Sequence, residues 1–156
     1  MISFELHGDP VGWQRTGVRI IIPKTGKQFA SIYTPARTRS YERALALAAK
    51  VAMRGKGPFV GPLRLTVTAF MPVPRSWSVN KRNAALAGIR RPVVKPDWDN
   101  IGKMTDSLKS IVWTDDTQVV DGRVLKFYDE RPRLRVEITM IDVFEEATDE
   151  RDYSHG

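Results

Sequence analysis

With 156 residues, 42% of them apolar and 28% charged, the chain has the size and balance of one ordinary globular domain that buries its core without cross-links. It contains no cysteine, which excludes disulfides, thiolate metal sites and thiol nucleophiles together and fits a reducing cytosol. The net charge of +7 is uneven: residues 142–156 carry six acids against Arg151 alone, which leaves residues 1–141 at +12. A body that basic attracts phosphate backbones through counterion release. The acidic stretch 142–156 reads as a disordered tail, and residues 1–141 as a single domain. No apolar run approaches the roughly 20 residues that span a bilayer, and the first residues lack a leader pattern, so a cytoplasmic location with no membrane partner is expected.

Ile2, Phe4 and Leu6 alternate with polar residues and predict a first strand. Residues 18–23 and 29–33 flank Lys24-Thr25-Gly26-Lys27 and predict a hairpin or extended flap. Thr34-Pro35 opens a helix whose buried stripe is Tyr41, Leu45, Ala48, Ala49 and Ala52, ending near Arg54-Gly55. Leu63, Leu65, Val67, Ala69 and Met71 make the clearest period-2 strand of the chain. From Pro72 to Lys95 come Arg75, Lys81, Arg82, Arg90, Arg91 and Lys95 with no acid, a basic loop-helix-loop excursion with its helix over 80–87, stopped by Gly88.

A second helix follows, with Ile101, Met104, Leu108 and Ile111 on its buried side. Strands at 119–128 and 134–140 then join through Asp129-Glu130-Arg131-Pro132 as a hairpin. The order predicts an α+β (mixed α/β) fold in two layers: one mixed sheet of about four to six strands, two main covering helices and a basic loop-helix insertion.

Asp97, Asp99, Lys103, Asp115 and Asp116 fall within twenty residues of this basic chain. On an extended segment Asp97 and Asp99 face one way and Trp98 the other, toward the core, with Asp99 at the helix N-cap. The chain turns back through Trp113-Thr114, a path that can bring Asp115 and Asp116 beside the first pair. Carboxylate oxygens without His or Cys suit Mg²⁺ or Mn²⁺ rather than Zn²⁺. Such ions activate water for attack on a phosphodiester, and Lys103 suits a phosphate oxygen. Crowded acids of this kind raise one another's pKa in the absence of metal. Taken singly, each residue has a plainer role: Asp99 caps a helix, Asp115-Asp116 turns the chain, Lys103 is solvated, and Asp106 pairs with Lys103 or Lys109.

As a whole, Asp97-x-Asp99-Asn100-x-x-Lys103-x-x-x-Asp106-x-Leu108 followed by Trp113-x-Asp115-Asp116-x-Gln118-Val119-Val120 resembles the RusA family of Holliday junction resolvases. The likeness is most specific from Lys95 to Lys126. It implies a homodimeric, Mg²⁺-dependent endonuclease, with Mn²⁺ as a substitute, that resolves four-way branched DNA by paired symmetric nicks in recombination and repair, and that is common in phages and prophages. It puts metal-binding aspartates at Asp97, Asp99 and Asp116, the adjacent acid at Asp115, the catalytic lysine at Lys103 and a motif asparagine at Asn100. Contacts to DNA are expected from Asn100, from Arg15 and from the six cations of the excursion. Two departures stand out: Trp98 replaces the more usual leucine, and the basic excursion is longer than in compact members. Trp13 and Trp77 are candidates to stack or wedge at an opened crossover. A junction-binding protein without catalysis, or a nuclease for flaps and forks, are the competing readings.

Overall fold

The computed structural model describes residues 1–142, so all but the first residue of the expected acidic tail lies outside the described residues. Along the chain run β1 (Ile2–His7), β2 (Gly17–Ile21), β3 (Phe29–Tyr33), α1 (Ala36–Met53), β4 (Leu63–Pro72), α2 (Val79–Leu86), α3 (Trp98–Lys103), β5 (Val119–Asp129) and β6 (Arg133–Met140). Short 3-10 segments at Met104–Leu108 and Asp116–Gln118 follow α3 and precede β5. The mixed α/β expectation holds. Four strands form one mixed sheet in the order β1-β6-β4-β5, while β2 and β3 pair separately as an antiparallel ribbon.

The expected hairpin between β5 and β6 does not form. β4 lies between them, parallel to β5 and antiparallel to β6, and residues 130–132 step across its end at Pro72. The physical reason is in β4 itself: Leu63, Leu65, Val67, Ala69 and Met71 are all buried, and so is Thr68 on the opposite face. A strand buried on both faces belongs inside a sheet, which requires a neighbour on each side.

The register places Phe4, Val136, Val67 and Val124 in one row across the sheet. Over that face lie Leu45, Ala49 and Met53 of α1, together with Ile101, Met104, Leu108, Val112 and Trp113. Burying side chains of this size contributes about 1.5–3 kcal/mol each. α1 ends where expected, its C-cap Arg54 in the left-handed region and Gly55 following at φ +75°. Gly88, at φ +76°, follows the end of α2, a conformation that glycine enters without a side-chain clash.

The second helix departs from expectation in form. α3 has six residues and then tightens into the 3-10 segment Met104–Leu108. Thr105 Oγ1 donates to the Gly102 carbonyl at 2.6 Å, and Ser107 Oγ to that of Met104 at 2.7 Å. Hydroxyls that bond back to nearby carbonyls compete with helical hydrogen bonding, which accounts for the change. The predicted apolar side survives: Ile101, Met104 and Leu108 are fully buried and Ile111 half-buried.

Candidate active site

α3 begins one residue after Asp97, which is its N-cap in extended conformation (φ −71°, ψ 151°) but makes no side-chain capping bond. Asp99, expected at the cap, lies instead in the first turn. Trp98 is consequently helical, and it is 68% exposed rather than turned into the core. Alternation of side chains holds only in a strand; once the helix starts at Trp98 that reasoning lapses, and Ile101 and Met104 fill the core here.

Asp97, Asp99, Asn100 and Lys103 line one open cleft of about 650 Å³, together with Lys95 and Arg15. Lys95 Nζ donates to Asp97 at 2.8 Å, and Lys103 Nζ stands 3.8 Å from Asp99. The bond to Asp97 holds the Lys95 ammonium above its ordinary pKa. Both carboxylates are about half exposed. Ion pairs this solvated contribute little, so a divalent cation can take the place of either lysine, and a phosphate can draw either lysine away.

The loop after β1 forms the cleft's other wall. The Trp13 N–H donates to the Asn100 carbonyl at 2.8 Å, and Lys103 Nζ lies 5.0 Å from the centre of the Trp13 ring. A Cβ at Gly12 would fall 2.6 Å from Pro96 Cβ and 3.3 Å from Asn100 Cβ. Only glycine lets this backbone come so close, and the approach brings Arg15 to the same cleft as Asp97.

The second acidic pair is held by a different set of bonds. The Trp113 indole, 1% exposed, donates to Asp116 Oδ1 at 2.7 Å. Asp115 caps the following 3-10 turn, its Oδ1 accepting from the Thr117 N–H at 2.9 Å, and this bonding holds its carboxyl below the usual pKa. Gln118 locks the turn to the body: Oε1 accepts from the N–H groups of Thr114 and Asp115, and Nε2 donates to the carbonyls of Phe59 and Gly61.

Asp115 and Asp116 do not line the cleft of Asp97 and Asp99, and among the described residues no three acids or histidines stand grouped for a metal ion. Asp106 lies within the electrostatic reach of both Asp116 and Lys103. Burial, and then the negative charge of Asp116, push its pKa up, while Lys103 and Lys109 pull it down.

The cations of the basic excursion divide by environment. Lys81 and Arg90 sit over the Trp77 ring, whose edge packs on Tyr128 at 5.1 Å. Arg91 lies 3.5 Å above the centre of the Phe127 ring and donates to the Lys126 carbonyl at 2.7 Å. Arg91 and Trp77 anchor the excursion to β5, and Lys81 and Arg90 pack on the Trp77 ring within it. Arg75 is exposed, Arg82 half-buried, and Lys95 and Arg15 reach the cleft.

Sequence reasoning passed over Lys126. Its ammonium donates to the Val94 carbonyl just before Asp97. Burial lowers its pKa, against the opposing charge of Asp97. The available clue was its phase: Lys126 occurs between Val124 and Tyr128 on the core-facing side of β5, where apolar residues are the rule.

Residues 7–139 match the family described as endodeoxyribonuclease RusA. A protein of Bacillus subtilis (strain 168), named uncharacterized protein YqaN, is 36% identical over 140 residues, covering 88% of this chain and 94% of its own length. No described helix is long and apolar enough to cross a membrane. The matched span takes in β4, β5 and all but the last residue of β6, the cleft of Asp97 and Asp99 and the Trp113–Gln118 turn, and the chain belongs to the RusA endodeoxyribonuclease family.

Proposed function

We propose that this protein is a Mg²⁺-dependent endonuclease that resolves four-way DNA junctions by paired nicks, with the ion held by Asp97 and Asp99 of the cleft and by Asp116 brought to it from the Trp113–Gln118 turn outside it. The observation that carries the reading is the cleft in which Asp97, Asp99, Asn100 and Lys103 stand beside Lys95 and Arg15. Carboxylate and amide oxygens, with no histidine or cysteine among them, match the preference of a hard divalent ion. When bound, such an ion supplies charge that activates a water and neutralises the phosphodiester as it is attacked.

The protein's own groups divide the remaining work. Lys103 leaves Asp99 for a phosphate oxygen, where charge builds up during reaction. Trp113 keeps one oxygen of Asp116 occupied and so fixes the direction in which the other points. Asp115, the acid adjacent to Asp116, holds the turn by accepting from the Thr117 N–H. Arg15, Lys95 and Asn100 draw the DNA backbone into the cleft. Two strands are cut in concert by a two-fold homodimer, which offers one such cleft to each.

The test compares a synthetic four-way junction, a fork and an intact duplex at one salt concentration, with Mg²⁺, Ca²⁺ or chelator. Paired nicking of the junction in Mg²⁺ alone is expected. Preferential cutting of the fork would change the substrate assignment, and tight junction binding without cutting under any metal would remove the nuclease reading.

A further inference from the structure

We propose that Trp98 is a stacking platform for an unpaired base of the bound DNA, set directly beside the carboxylates of the cleft. The proposal deepens the function given above and rests on it for the identity of the ligand. Of the four tryptophans, Trp113 is buried, Trp77 is packed between Tyr128 and two cations, and Trp13 is half-buried with Lys103 over its ring. Trp98 alone presents its ring to solvent, at 68% exposure. Nothing in the core accounts for an indole in that position.

Its surroundings form a recognisable surface. Trp98 shares an open groove of about 680 Å³ with Pro92, Val93 and Val94, and the two valines are 96% and 51% exposed. Lys95 and Lys126 stand along this groove, and Asp97 and Asp99 line it as well as the first cleft. A contiguous exposed apolar strip rimmed by charge marks a binding surface.

The charge selects the occupant. From Pro72 to Pro96 the chain contains six basic residues and no acid, so the groove is approached through positive potential. An apolar peptide gains nothing from those cations. A nucleic-acid strand satisfies both features, its phosphates meeting the lysines and a base lying on the indole.

The position of Trp98 between Asp97 and Asp99 gives the contact a consequence. A base stacked there leaves its own backbone phosphate next to both carboxylates. Bases at a branch point unstack at less cost than bases inside a duplex. Trp98 would therefore favour branched or single-stranded DNA over intact duplex, acting as a determinant of substrate structure.

The experiment measures affinity for a four-way junction, a single strand and an intact duplex in Ca²⁺, for wild type, Trp98→Ala and Trp98→Phe. The ring is exposed, so thermal melting of both variants should match wild type. Trp98→Ala is expected to bind junction and single strand about 5–150-fold more weakly, with duplex affinity unchanged. Trp98→Phe, which keeps an aromatic face, should recover most of the loss. Equal affinity of Trp98→Ala and wild type for the junction overturns the proposal, and so does an equal loss on all three DNAs. A lower sedimentation mass for Trp98→Ala with DNA binding intact would make the strip a contact between copies, again overturning it. Failure of the nuclease reading looks different: the wild type then cuts no junction in Mg²⁺, while the Trp98 effect on binding persists.

Discussion

Asp99→Asn should abolish metal-dependent cleavage of a four-way junction, lowering the rate by on the order of 10²–10³-fold, the scale of losing one preorganised charge-stabilising group. Junction affinity and thermal stability should stay close to wild type. The side chain is about half exposed and keeps its shape as an amide, so the substitution opens no cavity. Its partner Lys103, 3.8 Å away, is half exposed too and is left free for phosphate. What changes is one oxygen donor and one negative charge. Single-turnover cleavage with saturating enzyme isolates that change from binding, and a wild-type rate for the variant would exclude Asp99 from the metal site.

Trp113 is expected to give the largest effect on the folded state. Trp113→Ala removes a side chain that is 1% exposed, and truncations of this kind cost about 3–5 kcal/mol. A urea melt should show the midpoint falling with the slope little changed. Trp113→Phe separates the two jobs of the residue. It keeps most of the ring volume but removes the N–H that holds Asp116 at 2.7 Å. Loss of a group that orients a metal ligand typically weakens metal affinity by about 10–100-fold. Mn²⁺ titration followed by calorimetry should show that loss in the Phe variant, with a far smaller change in stability than in the Ala variant. Undiminished Mn²⁺ affinity would mean that the indole packs the core and does nothing for Asp116.

Much of the fold could be read from local pattern. β6 alternates apolar and polar residues throughout, β4 does so as far as Ala69, and α1 ends at Arg54-Gly55, where a left-handed turn is easily made. Strand partnership was not local. The short link 130–132 implies a hairpin, yet β4 is buried on both faces and has to be placed between β5 and β6 to satisfy them. That choice depends on the whole sheet, which no window of sequence contains.

The candidate site was legible to a similar depth. Asp97, Asp99, Asn100 and Lys103 are neighbours in sequence, and the start of one short helix gathers them at one cleft. The direction of Trp98 depended on a helix boundary shifted by one or two residues, since strand and helix phases send the same side chain to opposite surroundings. The grip of Trp113 on Asp116, and that of Lys126 on the Val94 carbonyl, are contacts whose partners are set by packing. Motif spacing carries no information about them.

Crystals grown with Mn²⁺ provide the most direct test, because the ion scatters anomalously and marks its own ligands. The account predicts one peak coordinated by Asp97, Asp99 and Asp116 at about 2.1 Å, with Lys95 displaced from Asp97. An empty cleft, an ion bound without Asp116, or an ion bound elsewhere would contradict it.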